Sequence, residues 1–274
     1  DATIKVWNAQ ARTQTKSWAI DGGPATAFAV DGKRAATGHR DGSVAVWDIE
    51  TGTRVATLKR GASGIASVAF AGETGLVAAT QDNAAIIWDY RSPSTAPQML
   101  EGHDDAAQVL TYSGRRSLLA TGSADRTVKL WSLSESSLVR TYRGHTNAVT
   151  AIAFAPDGSK LASAAADGQI RLLSALSSQL HSTFRIPSGR ISALAFSPSG
   201  EILASAGEDG ILRLWDIRRR RTVRTFQSFT VPSSLPEASV RPSGENINAR
   251  DVAWSRPKIR INRPVSTSHT RTDN

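Results

Sequence analysis

A hydroxyl, an imidazole and a carboxylate together are the usual equipment of nucleophilic catalysis, and Thr121, His103 and Asp125 supply one of each within a short stretch. In such a set the imidazole takes the hydroxyl proton and the carboxylate orients the ring. The surrounding sequence argues against that use. It holds no G-x-S-x-G, no G-x-x-x-x-G-K-[ST], no G-x-G-x-x-G and no H-E-x-x-H. The histidines at 39, 103, 145, 181 and 269 are scattered, and none stands at metal-ligand spacing from a second histidine. There is no cysteine, which removes disulfides, thiolate metal sites and a thiol nucleophile. The decisive point is recurrence: Asp125 is one of six equivalent aspartates, at positions 1, 41, 82, 125, 167 and 209. A carboxylate repeated in every unit is a building element rather than a reactive group. No catalytic residue, cofactor or metal is therefore expected, and His39 and His181 read as surface or loop residues.

The elements that hold these residues follow from the same period. Each aspartate is followed six positions later by a large apolar residue, namely Trp7, Trp47, Trp88, Trp131, Leu173 and Trp215. Between these anchors an alternating apolar stretch (SVAFAG, AIAFAPDG, ALAFSPSG) runs into a glycine turn. A run of small residues (RAATG, LLATGS, KLASAA, ILASAG), the aspartate turn, the Trp strand and one further strand follow. Alternation over four to seven residues bounded by Gly, Asp and Pro predicts four short antiparallel strands per unit, with no helix. Complete sets begin near Ala25, Ile65, Ala106, Val149 and Ile191. The N-terminal residues 3–8 and 12–20 supply only the last two strands of another set.

These residues resemble the WD40 family over about residues 1–228. The dipeptides Gly102-His103 and Gly144-His145, the LAS runs, and Trp47-Asp48, Trp88-Asp89 and Trp215-Asp216 fall in the family's order. The resemblance implies an all-β propeller of four-stranded antiparallel blades. It also implies a hydrogen-bonded set in each blade, complete here only as His103, Thr121, Asp125 and Trp131. Buried carboxylates need donors, and imidazole, hydroxyl and indole groups are the ones at hand. One repeat has His145, Ser163 and Asp167 but Leu173 for Trp. Those at Asp41 and Asp209 keep Thr37/Trp47 and Ser205/Trp215 without that histidine, and the repeat at Asp82 has Ala78 in place of the hydroxyl.

The net charge of +9 is not spread evenly. Residues 218–274 hold eleven Arg and one Lys against four acids, so the basicity belongs to the C-terminal end. Three parts result: propeller repeats over 1–228, a Pro/Ser-rich loop or linker over 229–247, and a basic tail over 248–274. The tail's Asp251-Val-Ala-Trp254 matches the first-strand pattern of residues 151–154, and Ile259 and Ile261 alternate as a second strand would. Two closures stay open. In one, the tail pairs with the N-terminal strands as a composite sixth blade beside five complete ones; in the other, the chain is part of a longer, seven-bladed ring.

In function the resemblance implies a non-catalytic protein–protein interaction scaffold within a larger assembly. The alternatives are a sensor or recognition module of a multidomain signalling or effector protein, and a binder of nucleic acid or an anionic surface through the basic end. Partners are expected to be proteins or peptides, with an acidic partner or nucleic acid possible at the basic end and no small-molecule substrate. Loops before each first strand and the aspartate turns should share one face, which nominates Arg40, Gln81, Asp104, Asp105, Arg126, Asn147, Arg190 and Glu208 as partner-binding residues. Arg218, Arg219, Arg220 and Arg221, on a turn of the opposite face, are the candidate anion-binding residues, since adjacent cations gain from an anionic partner. No apolar run is long enough to span a membrane. An intracellular, cytoplasmic setting is the expectation, although the lack of cysteine does not itself fix a compartment.

Overall fold

A computed structural model describes residues 2–20, 23–187 and 189–227. Its strands run in chain order through five four-stranded antiparallel sheets and one two-stranded ribbon, with no helix among the described residues. The ribbon is β1 (Thr3–Asn8) and β2 (Thr13–Ala19). The first blade is β3 (Ala27–Val30), β4 (Arg34–Gly38), β5 (Ser43–Asp48) and β6 (Arg54–Lys59). The second is β7 (Ile65–Ala71), β8 (Gly75–Thr80), β9 (Ala85–Asp89) and β10 (Gln98–Leu100). The third is β11 (Ala107–Ser113), β12 (Leu118–Ser123), β13 (Val128–Ser132) and β14 (Ser137–Tyr142). The fourth is β15 (Val149–Phe154), β16 (Lys160–Ala165), β17 (Gln169–Ser174) and β18 (Leu180–Arg185). The fifth is β19 (Ile191–Phe196), β20 (Ile202–Gly207), β21 (Ile211–Asp216) and β22 (Arg221–Gln227). These sheets have the form of the four-stranded blades that the resemblance implies, and their starts fall within two residues of the positions expected from the sequence.

Twist is built in at one repeated place. The register between the third and fourth strands shifts immediately before Trp7, Trp47, Trp131, Leu173 and Trp215, and a bulge of this kind raises the local right-handed twist. The turns between first and second strands carry left-handed glycines, Gly32, Gly158 and Gly200, where a β-carbon would be strained.

The core lies between blades rather than within them. Ile170, Leu172 and Ala164 of the fourth blade pack with Ile191, Leu203 and Trp215 of the fifth. Leu110, Leu119 and Trp131 of the third pack with Val77 and Ala85 of the second. First strands are mostly buried; fourth strands are mostly exposed, as at Val55, Leu138, Val139 and Leu180. Backbone acceptors stitch neighbours together: the Tyr142 hydroxyl donates to Ser174 O at 2.6 Å, and Thr26 Oγ1 donates to Ile65 O at 2.7 Å.

At the two ends of the described array apolar surface stays uncovered. Leu212 of the fifth blade is 39% exposed, whereas Ile170, its equivalent in the fourth, is fully buried. Trp7 of the ribbon is 60% exposed, against 3–5% for Trp47, Trp88, Trp131 and Trp215. The composite blade expected from residues 248–274, like the linker over 229–247, lies outside the described residues.

Candidate functional site

The third blade shows what the repeated polar residues do. His103 sits in the loop before β11, Thr121 in β12, Asp125 in the β12–β13 turn and Trp131 in β13. The Trp131 indole donates to Thr121 Oγ1 at 2.8 Å, and Thr121 Oγ1 meets His103 Nε2 at 2.8 Å. His103 Nδ1 lies 2.7 Å from Asp125 Oδ2, whose partner oxygen accepts from the Thr127 amide and hydroxyl at 2.8 and 2.6 Å. One proton assignment satisfies every bond: the Thr121 hydroxyl donates to Nε2, and Nδ1–H donates to the carboxylate. Burial pushes the His103 pKa down against the pull of Asp125. The Asp125 carboxyl lies below its ordinary value: burial works against this, but the bonds from Thr127 and His103 prevail. Thr121 is fully buried and the His103 side chain is 2% exposed, so no substrate reaches this hydroxyl. The set is a lock between a loop, a turn and two strands.

Three of the other four blades carry variants of that lock, and the second has Ala78 at the hydroxyl position. In the fourth, His145 Nε2 meets Ser163 Oγ at 2.9 Å and Nδ1 lies 3.4 Å from Asp167, while Leu173 offers no indole donor. Trp215 donates to Ser205 at 2.9 Å in the fifth, and Trp47 to Thr37 at 3.1 Å in the first. His39 corrects an expectation. It is only 2% exposed, and its Nε2 lies 3.1 Å from Thr37 Oγ1, the hydroxyl two residues earlier on its own chain. The first blade therefore obtains its imidazole from the end of β4 rather than from the preceding loop. Burial lowers the His39 pKa against the opposing pull of Asp41 and the Gly23 backbone. The fifth blade replaces the missing imidazole with a guanidinium: Arg213 Nη1 stands 2.6 Å from Asp209 Oδ2, with both side chains largely buried. A cation four residues after the aspartate recurs as Lys5, Lys129, Arg171 and Arg213. That recurrence was the available signal for this pair.

The nominated partner-binding residues stand on one face of the blades. In each of four blades the aspartate turn is tied to the preceding loop, as Gln81 N to Gly64 O, Ala124 N to Ala106 O, Ala166 N to Ala148 O and Glu208 N to Arg190 O, at 2.9–3.1 Å. Both loop classes thus share one face. Arg40, Gln81, Asp104, Asp105, Arg126, Asn147, Arg190 and Glu208 are all exposed on it. Arg126 holds a left-handed backbone at φ 70°, fixed by its turn. The opposite face joins the other two turn classes, as in Ile217 N to Glu201 O at 2.9 Å, and carries the Arg218–Arg221 turn. Among the described residues no group of three His, Asp or Glu is placed to hold a metal ion, and no helix is long and apolar enough to cross a membrane.

Comparison with known proteins agrees with this geometry. The model of the WD domain, G-beta repeat, matches residues 19–48, 95–132, 136–174 and 178–216. Each of the last three matches begins near the outer strand of one blade and ends on the Trp strand, or its Leu173 equivalent, of the next, so a sequence repeat spans two blades. The chain is 37% identical over 109 residues to the DENN domain and WD repeat-containing protein SCD1 of Arabidopsis thaliana, covering 39% of this chain and 9% of the relative. It is 28% identical over 114 residues to the WD repeat and SOCS box-containing protein 1 of Takifugu rubripes, covering 41% and 27%. Against the Arabidopsis protein named Cell division cycle 20.1, cofactor of APC complex, it is 30% identical over 142 residues, covering 50% and 31%. The matched part is thus less than a third of each of these relatives. With family matches over more than half its length, and blades built on the repeated aspartate, hydroxyl and tryptophan, the chain belongs to the WD40 family.

Proposed function

We propose that this propeller is a non-catalytic interaction scaffold that seats a partner protein on its loop-bearing face. One observation carries the reading: eight polar side chains from the five blades stand exposed on one face, while buried locks in four of those blades pin the backbone beneath. A rigid platform binds without the entropic cost of ordering its loops, which favours recognition. Among the described residues, the titratable groups of the locks are buried beneath that face and bonded to one another.

A second reading is that the chain is a recognition module of a longer protein. It is favoured by relatives whose names join WD repeats to a DENN domain or a SOCS box, and of which this chain matches only a part. The two readings share the loop face and differ in what the chain is joined to.

The test is crosslinking of the purified 274-residue chain to its captured partners, with crosslink sites mapped by mass spectrometry. Arg40→Glu, Arg126→Glu and Arg190→Glu, made together, should weaken the captured partner at least about tenfold. Val139→Asp, on the exposed outer strand β14, should not. Equal capture by all variants, with crosslinks mapping away from the loops, would refute the loop-face assignment.

A further inference from the structure

The four consecutive arginines do not act as one patch. The Arg219 amide donates to Asp216 Oδ1 at 2.7 Å and its guanidinium reaches Asp216 Oδ2 at 3.4 Å, so Arg219 closes its own turn. Arg221 has already entered β22, paired opposite Asp216. Arg218 and Arg220 are left, and both line a groove between the fourth and fifth blades with Lys160, His181 and Glu201. Leu172 and Ile217 form part of its lining, and Ser182 and Ser199 add hydroxyl donors. A second recess shares Lys160 and brings Arg115 and Asp157, whose charges offset, to the same side.

The groove's contents select a ligand chemistry. Arg218 faces Glu201 only loosely, at 3.7 Å with side chains 84% and 57% exposed, so little attraction is spent there. Lys160, Arg218 and Arg220 against Glu201 leave two net positive charges with His181 uncounted. A phosphate monoester brings about −1.5 to −2 charge and three acceptor oxygens, which matches that surplus and the number of donors. A single carboxylate would leave the surplus half met. Nucleic acid is disfavoured, because apart from His181 no ring lines the groove on which a base could stack. Arg220 holds a left-handed backbone at φ 54°, on the turn position that Gly52 occupies in the first blade at φ 72° and Ser136 in the third at φ 49°.

We infer that the groove between the fourth and fifth blades, on the face opposite the partner loops, binds a phosphorylated side chain of a protein segment through Lys160, His181, Arg218 and Arg220. This rests on the scaffold reading and adds a second, modification-dependent contact to it.

The experiment incubates the full chain with a degenerate peptide library carrying one central phosphoserine and with its unphosphorylated twin. The phosphorylated library should be retained at least about tenfold better, and Lys160→Ala with Arg220→Ala should abolish that preference. Arg220→Gly separates binding from folding: it should weaken retention while leaving the thermal midpoint unchanged or raised, because glycine suits the left-handed turn. Equal retention of the two libraries would overturn the proposal. So would retention of phosphopeptides that is indifferent to these substitutions. A 20-nucleotide single-stranded RNA and phosphatidylserine vesicles serve as rival ligands; binding of either one, lost in the same variants while the phosphopeptide is not retained, would overturn it too. Crosslinking at the loop face is read in parallel. If it persists while the groove binds nothing, the groove inference fails and the scaffold reading stands.

Discussion

Thr121→Val should lower the unfolding free energy by about 2–5 kcal/mol, because one methyl-for-hydroxyl exchange orphans two buried groups. The Trp131 indole loses its acceptor and His103 Nε2 loses its donor, and both lie where water cannot replace Thr121. Thr121→Ser keeps the oxygen and should restore most of the loss. The matching change in the fourth blade, Ser163→Ala, should cost less, since Leu173 has no N–H to orphan and only His145 Nε2 is left unpaired. Urea denaturation at pH 7.5, with midpoints compared at constant slope, measures all three. If Thr121→Val and Thr121→Ser unfolded at the same midpoint, the lock would not be what holds the third blade.

Acid should undo the fold in two stages. Burial lowers the pKa of His39, His103 and His145 below the ordinary imidazole value, so between the folded and unfolded values the unfolded chain holds more protons. Stability is then complete above about pH 6.5 and falls as the pH drops, at up to about 1.4 kcal/mol per pH unit for each proton withheld. The second stage begins below about 3.8, where Asp125 and Asp167 are held below their ordinary value. For both, burial opposes the ionised form, and it is outweighed by the turn amides and hydroxyls and by the paired imidazoles. Their contribution is present above the unfolded pKa and is lost as the pH falls through the folded one. Thermal midpoints at pH 7.5, 5.5 and 4.5 should descend, and His103→Gln should flatten the first descent. A midpoint constant from pH 7.5 to 5 would show that these rings take up protons without leaving their sites.

The strands were legible because propeller blades repeat their errors and their rules alike. A 42-residue period placed β3 to β22 close to their true limits, and the glycine and aspartate turns marked their ends. The lock of the third blade was legible for the same reason, since His103, Thr121, Asp125 and Trp131 follow the family's order. What escaped was substitution in space. His39 lies two residues beyond Thr37, where a strand's alternation permits a ring to fold back on its neighbour's hydroxyl, and no pattern of spacings distinguishes that from a loop histidine. Arg213 and Asp209 make an ion pair that only the twist of the aspartate turn brings to 2.6 Å. The arginine run looked uniform in sequence, yet the turn gives Arg219 to Asp216 and sends Arg218 and Arg220 to a groove formed with the fourth blade. Neighbouring residues on a turn point in different directions, and charge counting is blind to direction.

The order of contacts also governs how this molecule comes apart. First strands touch in sequence, β3 with β7, β7 with β11, β11 with β15 and β15 with β19. Such a line of nearest-neighbour couplings behaves as a zipper, in which loss starts at the ends and travels inward. Among the described residues the flank of the fifth blade and the ribbon bearing Trp7 are those ends, so amide hydrogen exchange should be faster there than through the third blade. Whatever clasps both ends at once turns the zipper into a hoop, whose amides are released together or not at all.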